Sequence, residues 1–373
     1  MSKKKIIYAL CSAAIGLAVA LIFLEIVFRF LPVSSSLLSI TVDGISKATP
    51  NRDLVYSVRW NFRHVAPYHV NNAGFVNDQD YFADHSKPMI AVVGDSYIEA
   101  FVVQPNRAYF ELLQEELKDR FAVYSFGFSG APLSQYLIWA KHAREVYKSN
   151  YLIITVIGND FDESLLKYKS SPGYAYYDIT PDGLTLLPIV EPKKFFLHNF
   201  LARSSFLSYL KHVLQINTVF NSTSTPKETQ SKPLRYAANK EYYASDEKIA
   251  LSKLAVDAFL RDLPEYAGLP ADRVLFVLDG IRGDELGDLY SENPAFDSYA
   301  AQMFAYLRSQ AGSLGYEVID MQNYFSDDYI KNGARFEYED DGHWNEYGHQ
   351  IVFETIIKNP AFLANINAIE NEK

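Results

Sequence analysis

Four short groups of residues in this chain combine side chains that can do chemistry. Gly94-Asp95-Ser96 follows the apolar run Met89-Ile90-Ala91-Val92-Val93. A serine in a tight strand-to-helix turn is exposed at a helix amino end, where its hydroxyl can act as a nucleophile. Phe126-Gly127-Phe128-Ser129-Gly130 supplies glycines that let the backbone approach another group closely. Gly158-Asn159-Asp160 sets a side-chain amide donor behind the apolar run Tyr151 to Ile157. Asp340-Asp341-Gly342-His343-Trp344-Asn345 holds a histidine with a carboxylate two or three residues before it. Such a carboxylate orients the imidazole and stabilises its cationic form.

Taken singly, these groups are also a turn with a helix cap, a plain glycine turn, an Asx turn and a surface histidine. Taken together, each falls at the end of an expected strand or directly before an expected helix. The set provides a nucleophile, two oxyanion-type donors and a base with its carboxylate, which is what acyl transfer through an acyl-serine requires. A metal centre is not expected. Asp340, Asp341, His343, Glu346 and His349 lie close in sequence, but the two histidines are six apart, poor spacing for one helix face, and no cysteine is near. His349 is expected to be a structural or surface residue of the last helix, and no cofactor is implied.

The elements that must hold these groups alternate. Continuous apolar runs predict strands near 89–93, 121–126, 151–157, 273–278 and 316–321. Helical spacing predicts helices near 105–120, 132–148, 246–263, 295–314 and 347–357. This is the pattern of an α/β protein with a parallel sheet covered on both faces, whose sites form at the carboxyl ends of the strands. Residues 34–85 read as a loop-rich lead-in. Residues 165–235 break the alternation: Thr180-Pro181-Asp182-Gly183 predicts a hairpin, 195–216 an amphipathic helix and 221–232 a flexible loop.

With 373 residues, of which 49% are hydrophobic and 21% charged, the chain is neither collagenous nor intrinsically disordered. Its net charge of -10 argues against nucleic-acid binding. Cys11 is the only cysteine, so no intramolecular disulfide forms. The 27 Tyr and 25 Phe fill a core or offer rings for carbohydrate stacking.

Lys3, Lys4 and Lys5 precede an uncharged stretch from Ile6 to Leu24, nearly enough helix to cross a hydrocarbon core of ~30 Å. Poor cleavage signals at Ser34-Ser35-Ser36 favour an uncleaved anchor over a signal peptide. The lysines would stay cytoplasmic and the chain beyond Pro32 would lie outside. Glu25 and Arg29, four apart, can pair near the outer end of that helix. Without residues 1–33 the chain carries 31 basic and 44 acidic residues, a surface expected to disfavour anionic headgroups.

The four groups, in this order, resemble the signature blocks of the SGNH (GDSL-type) hydrolases. Ser96, Gly130, Asn159 and His343 match the four name-giving residues. The likeness spans 89–357, with 162–245 as an unmatched insertion. The amino-terminal helix, Asn71-Asn72-Ala73-Gly74-Phe75 and the closing Asp341 to Asn345 are similar to a bacterial membrane-anchored subset and to SGNH domains of polysaccharide O-acetylation proteins.

The resemblance implies a three-layer α/β sandwich with a flavodoxin-like central parallel sheet, preceded by one transmembrane helix. It implies an anchor at 1–33, the lead-in at 34–85 and a hydrolase-like domain at 86–373. It further implies Ser96 as nucleophile, His343 as base, Asp341 or Asp340 as the triad acid, and an oxyanion hole from Ser96, Gly130 and Asn159. Asp341 is preferred because Trp344 follows the histidine. Ser125 stands where many relatives carry Asn, and Asp95 is expected to cap a turn or helix. The activity implied is hydrolysis of acyl esters, O-acetyl foremost, on an envelope or exported glycan at the bacterial inner membrane. An O-acyltransferase working with a membrane-complex partner and a non-catalytic assembly scaffold are the other two readings.

Overall fold

A computed structural model describes residues 3–42, 44–192, 203–213, 236–237, 240–241, 243–281, 298–339 and 341–372. The chain divides into two compact units. The smaller comprises Met1–Leu38, Asp53–Tyr68 and Lys193–Glu228. Its main element is helix α1 (Lys3–Phe28), which is long and apolar enough to cross a membrane and buries none of its residues. Arg29 Nε donates to Glu25 Oε1 at 2.9 Å, the pairing expected from their spacing. Most of the strand pair β3 (Arg52–Val58) and β4 (His64–Val70) also belongs here.

The larger unit holds a five-stranded sheet. Its strands are β5 (Met89–Gly94), β6 (Ala122–Gly127), β7 (Tyr151–Val156), β12 (Val274–Leu278) and β13 (Glu317–Asp320), in the order β13-β12-β7-β5-β6, and every pairing is parallel. The three central strands are buried at every position, which is why their sequences are unbroken apolar runs rather than alternating ones.

Helices cover both faces. On one, α4 (Leu133–Tyr147) lies on β5, and α6 (Asp246–Ala267) packs between α4 and α7 (Tyr299–Ser313). On the other, α3 (Tyr109–Leu117) lies on β6 and packs against α9 (Glu346–Lys358), which α8 (Met321–Asn332) and α10 (Pro360–Asn371) flank. In chain order the sheet reads 2-1-3-4-5, the flavodoxin-like order, so the strand order reverses between β5 and β7. Ligands of open α/β sheets sit in the crevice at that reversal. The three-layer sandwich implied by the SGNH resemblance is the observed architecture.

Two departures have physical causes. The lead-in contains strands: β1 (Ser39–Val42) pairs antiparallel with β2 (Ile45–Ala48), ahead of β3 and β4. Four-residue strands are too short to register as periodicity. Helices α8 and α10 are also additional to the expected set. Helix α8 buries only Met321 and Phe325, so its apolar stripe is faint, although the Asp320 carboxylate caps it by accepting the Gln322 N–H at 3.1 Å. The expected hairpin is present as β8 (Tyr177–Thr180) and β9 (Gly183–Leu186). Further on, β10 (Tyr236–Ala237) pairs antiparallel with β11 (Lys240–Glu241). Of the helix expected over 195–216, residues 205–213 are helical. Residues 195–202 and the loop expected at 221–232 lie outside the described residues.

One glycine lets β6 approach the turn that begins at Ser96 closely. A Cβ on Gly127 would sit 2.5 Å from the Glu99 backbone N and 2.6 Å from the Ile98 carbonyl carbon. Backbone cannot yield as a side-chain tip can. Gly127→Ala is therefore expected to cost about 2–3 kcal/mol in urea denaturation, and to lower turnover by displacing the turn that begins at Ser96.

Candidate active site

Ser96 opens α2 (Ser96–Glu99), the single turn directly after β5. The Asp95 carboxylate caps it, Oδ1 accepting the Tyr97 N–H at 3.0 Å. Asp95 thus does the capping work expected of it. The histidine sits on a short antiparallel ribbon, β14 (Glu337–Tyr338) against β15 (Asp341–Trp344). Three long-range hydrogen bonds hold that ribbon and the following helix over α2. Tyr97 Oη donates to Gly342 O at 2.8 Å, Tyr338 Oη donates to Val102 O at 3.1 Å, and Glu346 Oε1 accepts the Gln104 N–H at 3.2 Å. The buried Trp344 indole donates to Asp279 Oδ1 at 2.9 Å, tying the ribbon to the end of β12.

Ser96 Oγ lies 2.7 Å from His343 Nε2. His343 Nδ1 is hydrogen-bonded to Asp341 Oδ1, which also accepts the His343 backbone N–H at 3.0 Å. The carboxylate accepts, so Nδ1 carries the proton and Nε2 is left to accept from the serine. Ser96 Oγ is 3.3 Å from Asp95 Oδ2, a longer contact than the one to the base. Serine, histidine and Asp341 are thus brought together across 247 residues of sequence. Asp340 lies outside the described residues.

Gly130 and Asn159 come from the turns after β6 and β7. Gly130 has φ +77°, a backbone shape that favours glycine. Asn159 is the N-cap residue of α5 (Asp160–Glu163). Three residues of the region 162–245, Glu163, Lys169 and Tyr174, brace these turns. Lys169 Nζ donates to Gly130 O at 2.8 Å and pairs with Glu163. Glu163 Oε2 in turn lies 3.5 Å from Asn159 Nδ2. Tyr174 Oη donates to the neighbouring Ser129 carbonyl at 2.7 Å. Nothing in the local sequence of Lys169 or Tyr174 marks them; the fold alone brings them to this edge of the sheet.

Beneath the site lie three buried carboxyl groups. Burial raises Asp95, opposed by the Tyr97 N–H and by the charge of His343. Burial raises Asp160 well above the ordinary carboxylate range, and the negative charge of Asp95 adds to it. Burial pushes Glu99 up to about 7, although Ser129 donates to it through both its hydroxyl and its N–H, the latter at 2.8 Å. Because the folded value of Glu99 exceeds the unfolded one, the folded state holds this proton more tightly. That contribution to stability is complete below about pH 4 and is lost as pH rises through about 7, amounting to about 3 kcal/mol. Glu111, also raised to about 7 by burial, acts in the same direction. Melting temperature should therefore fall between pH 5 and pH 8, and Glu99→Gln should remove part of the fall while Glu111, with Asp95 and Asp160 raised in the same direction, keeps the rest.

Ser125 is buried and hydrogen-bonded through both its hydroxyl and its N–H. Its hydroxyl accepts from Asn77 Nδ2 at 3.1 Å, and Tyr81 Oη accepts the Ser125 N–H at 2.8 Å. His349 is buried, its Nδ1 accepting the Tyr109 N–H at 3.2 Å, which makes it a structural residue of α9.

The structure is thus an α/β sandwich that carries Ser96, His343 and Asp341 in one hydrogen-bonded chain, the arrangement a serine nucleophile requires. No family model matches the sequence, and no curated protein matches it. Among solved structures, the chain is similar to the acetyl xylan esterase AlAXEase at 14% identity and TM-score 0.38, covering 72% of this chain and 98% of that one. TesA is similar at 11% identity and TM-score 0.38, covering 74% and 99%. The lipase/acylhydrolase from Enterococcus faecalis is similar at 11% identity and TM-score 0.37, covering 76% and 96%.

Proposed function

We propose that this chain is a membrane-anchored serine esterase that removes acyl groups, O-acetyl foremost, from an envelope or exported glycan. The observation that carries this reading is the 2.7 Å contact between Ser96 Oγ and His343 Nε2, with Asp341 on the other ring nitrogen. In the mechanism, Nε2 takes the Ser96 proton as Oγ attacks the ester carbonyl. The N–H groups of Ser96 and Gly130 and the Asn159 amide stabilise the oxyanion. The imidazolium then gives its proton to the departing alkoxide. A water, deprotonated by the same nitrogen, attacks the acyl-serine, and the imidazolium returns that proton to Ser96 Oγ as the bond to the serine breaks and the carboxylic acid is released. Asp341 keeps the Nδ1 proton in place through both half-reactions.

Helix α1, with Lys3, Lys4 and Lys5 ahead of it, supports an inner-membrane anchor with a cytoplasmic amino terminus and an extracytoplasmic catalytic unit. The glycan rests on that compartment and on the abundance of rings able to stack on sugars. The test is hydrolysis of p-nitrophenyl acetate by the full chain in detergent, with a fluorophosphonate probe in parallel. Turnover with a stoichiometric adduct on Ser96 is expected; an inert protein that also resists the probe would end the esterase reading. Asn159→Ala should lower kcat by about 10²–10³ and leave KM nearly unchanged, because an oxyanion donor acts mainly in the transition state.

A further inference from the structure

The smaller unit differs in charge from the rest of the molecule. Met1–Leu38, Asp53–Tyr68 and Lys193–Glu228 carry eleven basic and three acidic residues, net +8; the remainder carries 24 and 42, net -18. The overall negative charge hides this segregation. Without residues 1–33, and so without Lys3, Lys4 and Lys5 at the far end of α1, the unit still carries seven basic and two acidic residues, net +5, so the expectation drawn from the net charge of the whole exported chain does not extend to this part of it.

The unit is organised around the carboxyl-terminal end of α1. The Glu25 carboxylate accepts from Ser204 Oγ at 2.6 Å, from the Ser205 N–H at 3.1 Å and from the Phe206 N–H at 3.2 Å. The Phe28 ring lies 4.5 Å from that of Tyr209 and 5.5 Å from that of Phe206. Tyr209 reaches on to the segment after β3: its ring is 5.8 Å from Phe62, and its Oη donates to Trp60 O at 3.2 Å. An α-helix of 26 residues is ~39 Å long against a hydrocarbon core of ~30 Å. With Ile6 at one boundary, Phe28 and everything fixed to it stand at the level of the opposite headgroups. Trp60 is 71% exposed and Phe30 85% exposed, and Arg59, Arg63, Arg203 and Lys211 are exposed beside them in the same unit.

We propose that these residues form a basic, aromatic collar that lies in the headgroup layer and binds anionic phospholipid. The proposal rests on reading α1 as a membrane span. Rings that are apolar in body and polar at the edge partition to the interface, and guanidinium groups bind the phosphodiester. Glu25 fits this arrangement, since it anchors the collar to the helix rather than pairing with Arg29 alone.

Trp60 is its own probe, because Trp139 and Trp344, the other two tryptophans, are fully buried. The full chain is reconstituted in vesicles of brominated phosphatidylcholine, with or without about a third of phosphatidylglycerol. Trp60→Phe supplies the background. The expected result is loss of about half of the Trp60 emission, greater when phosphatidylglycerol is present. The combined Arg59→Gln, Arg63→Gln and Lys211→Gln variant should lose the dependence on phosphatidylglycerol. A chain that floats with the vesicles while Trp60 stays unquenched overturns the collar and leaves the anchor standing. So does quenching indifferent both to anionic lipid and to the three substitutions. A chain that does not float overturns the span and the collar with it, and leaves the triad reading untouched.

Discussion

Ser96→Ala is expected to lower kcat for p-nitrophenyl acetate by about 10⁵-fold or more and to abolish fluorophosphonate labelling. The size follows from what is removed. The hydroxyl 2.7 Å from His343 Nε2 is the atom that forms the covalent intermediate, and alanine leaves only the oxyanion donors and substrate binding. Because nucleophile and base act as one unit, adding His343→Ala to the variant should cost little more. Fold stability should barely change, since the substitution leaves the Asp95 cap on the Tyr97 N–H in place. Turnover within tenfold of the parent would show that another group attacks the ester, and the mechanism would be wrong at its first step.

Asp341→Asn is the second large effect, about 10⁴-fold in kcat. Asp341 Oδ1 meets both the Nδ1 and the backbone N–H of His343, so the carboxylate fixes the ring and its tautomer together. An asparagine fills the same space. If its amide turns an N–H toward the ring, Nδ1 must accept, the proton moves to Nε2, and the serine loses its base. The companion variant Asp340→Asn should stay within about tenfold of the parent. Equal losses in the two variants would mean that the triad acid is shared or misassigned. The choice between adjacent aspartates is open in the sequence, since both spacings before His343 suit a triad; the hydrogen bond to Nδ1 favours Asp341.

The residues that meet at the candidate site are more legible in the sequence than those that support them. Serine, glycine, asparagine and histidine could be picked out because each stands directly behind an apolar strand or before a helix, where local pattern is strong. The parallel sheet was legible because its central strands are buried on both faces and therefore uninterrupted. What the sequence hid was pairing over distance. The bond from Tyr97 to Gly342 spans 245 residues, that from Trp344 to Asp279 spans 65, and that from Lys169 to Gly130 spans 39. No periodicity encodes such partners. Short strands such as β1 and β2 escape because four residues are too few to show a period, and the polar helix α8 because it buries only Met321 and Phe325. Helix α10 did carry a signal, Asn359 as its cap followed by Pro360, which the apolar pattern alone passes over.

The ribbon that carries His343 comes very late in the chain. A ribosome that has just added Ser96 must add 247 more residues before the base exists. Until then the growing chain has a serine with no partner to activate it, however well β5 and α2 have formed. On the proposed mechanism, activity waits on completion of synthesis: a product truncated anywhere before His343 lacks the base and should be silent toward esters. On the same reading, a chain that stops just short of His343 keeps the serine, the sheet strands and the turn of α2, and is disarmed all the same.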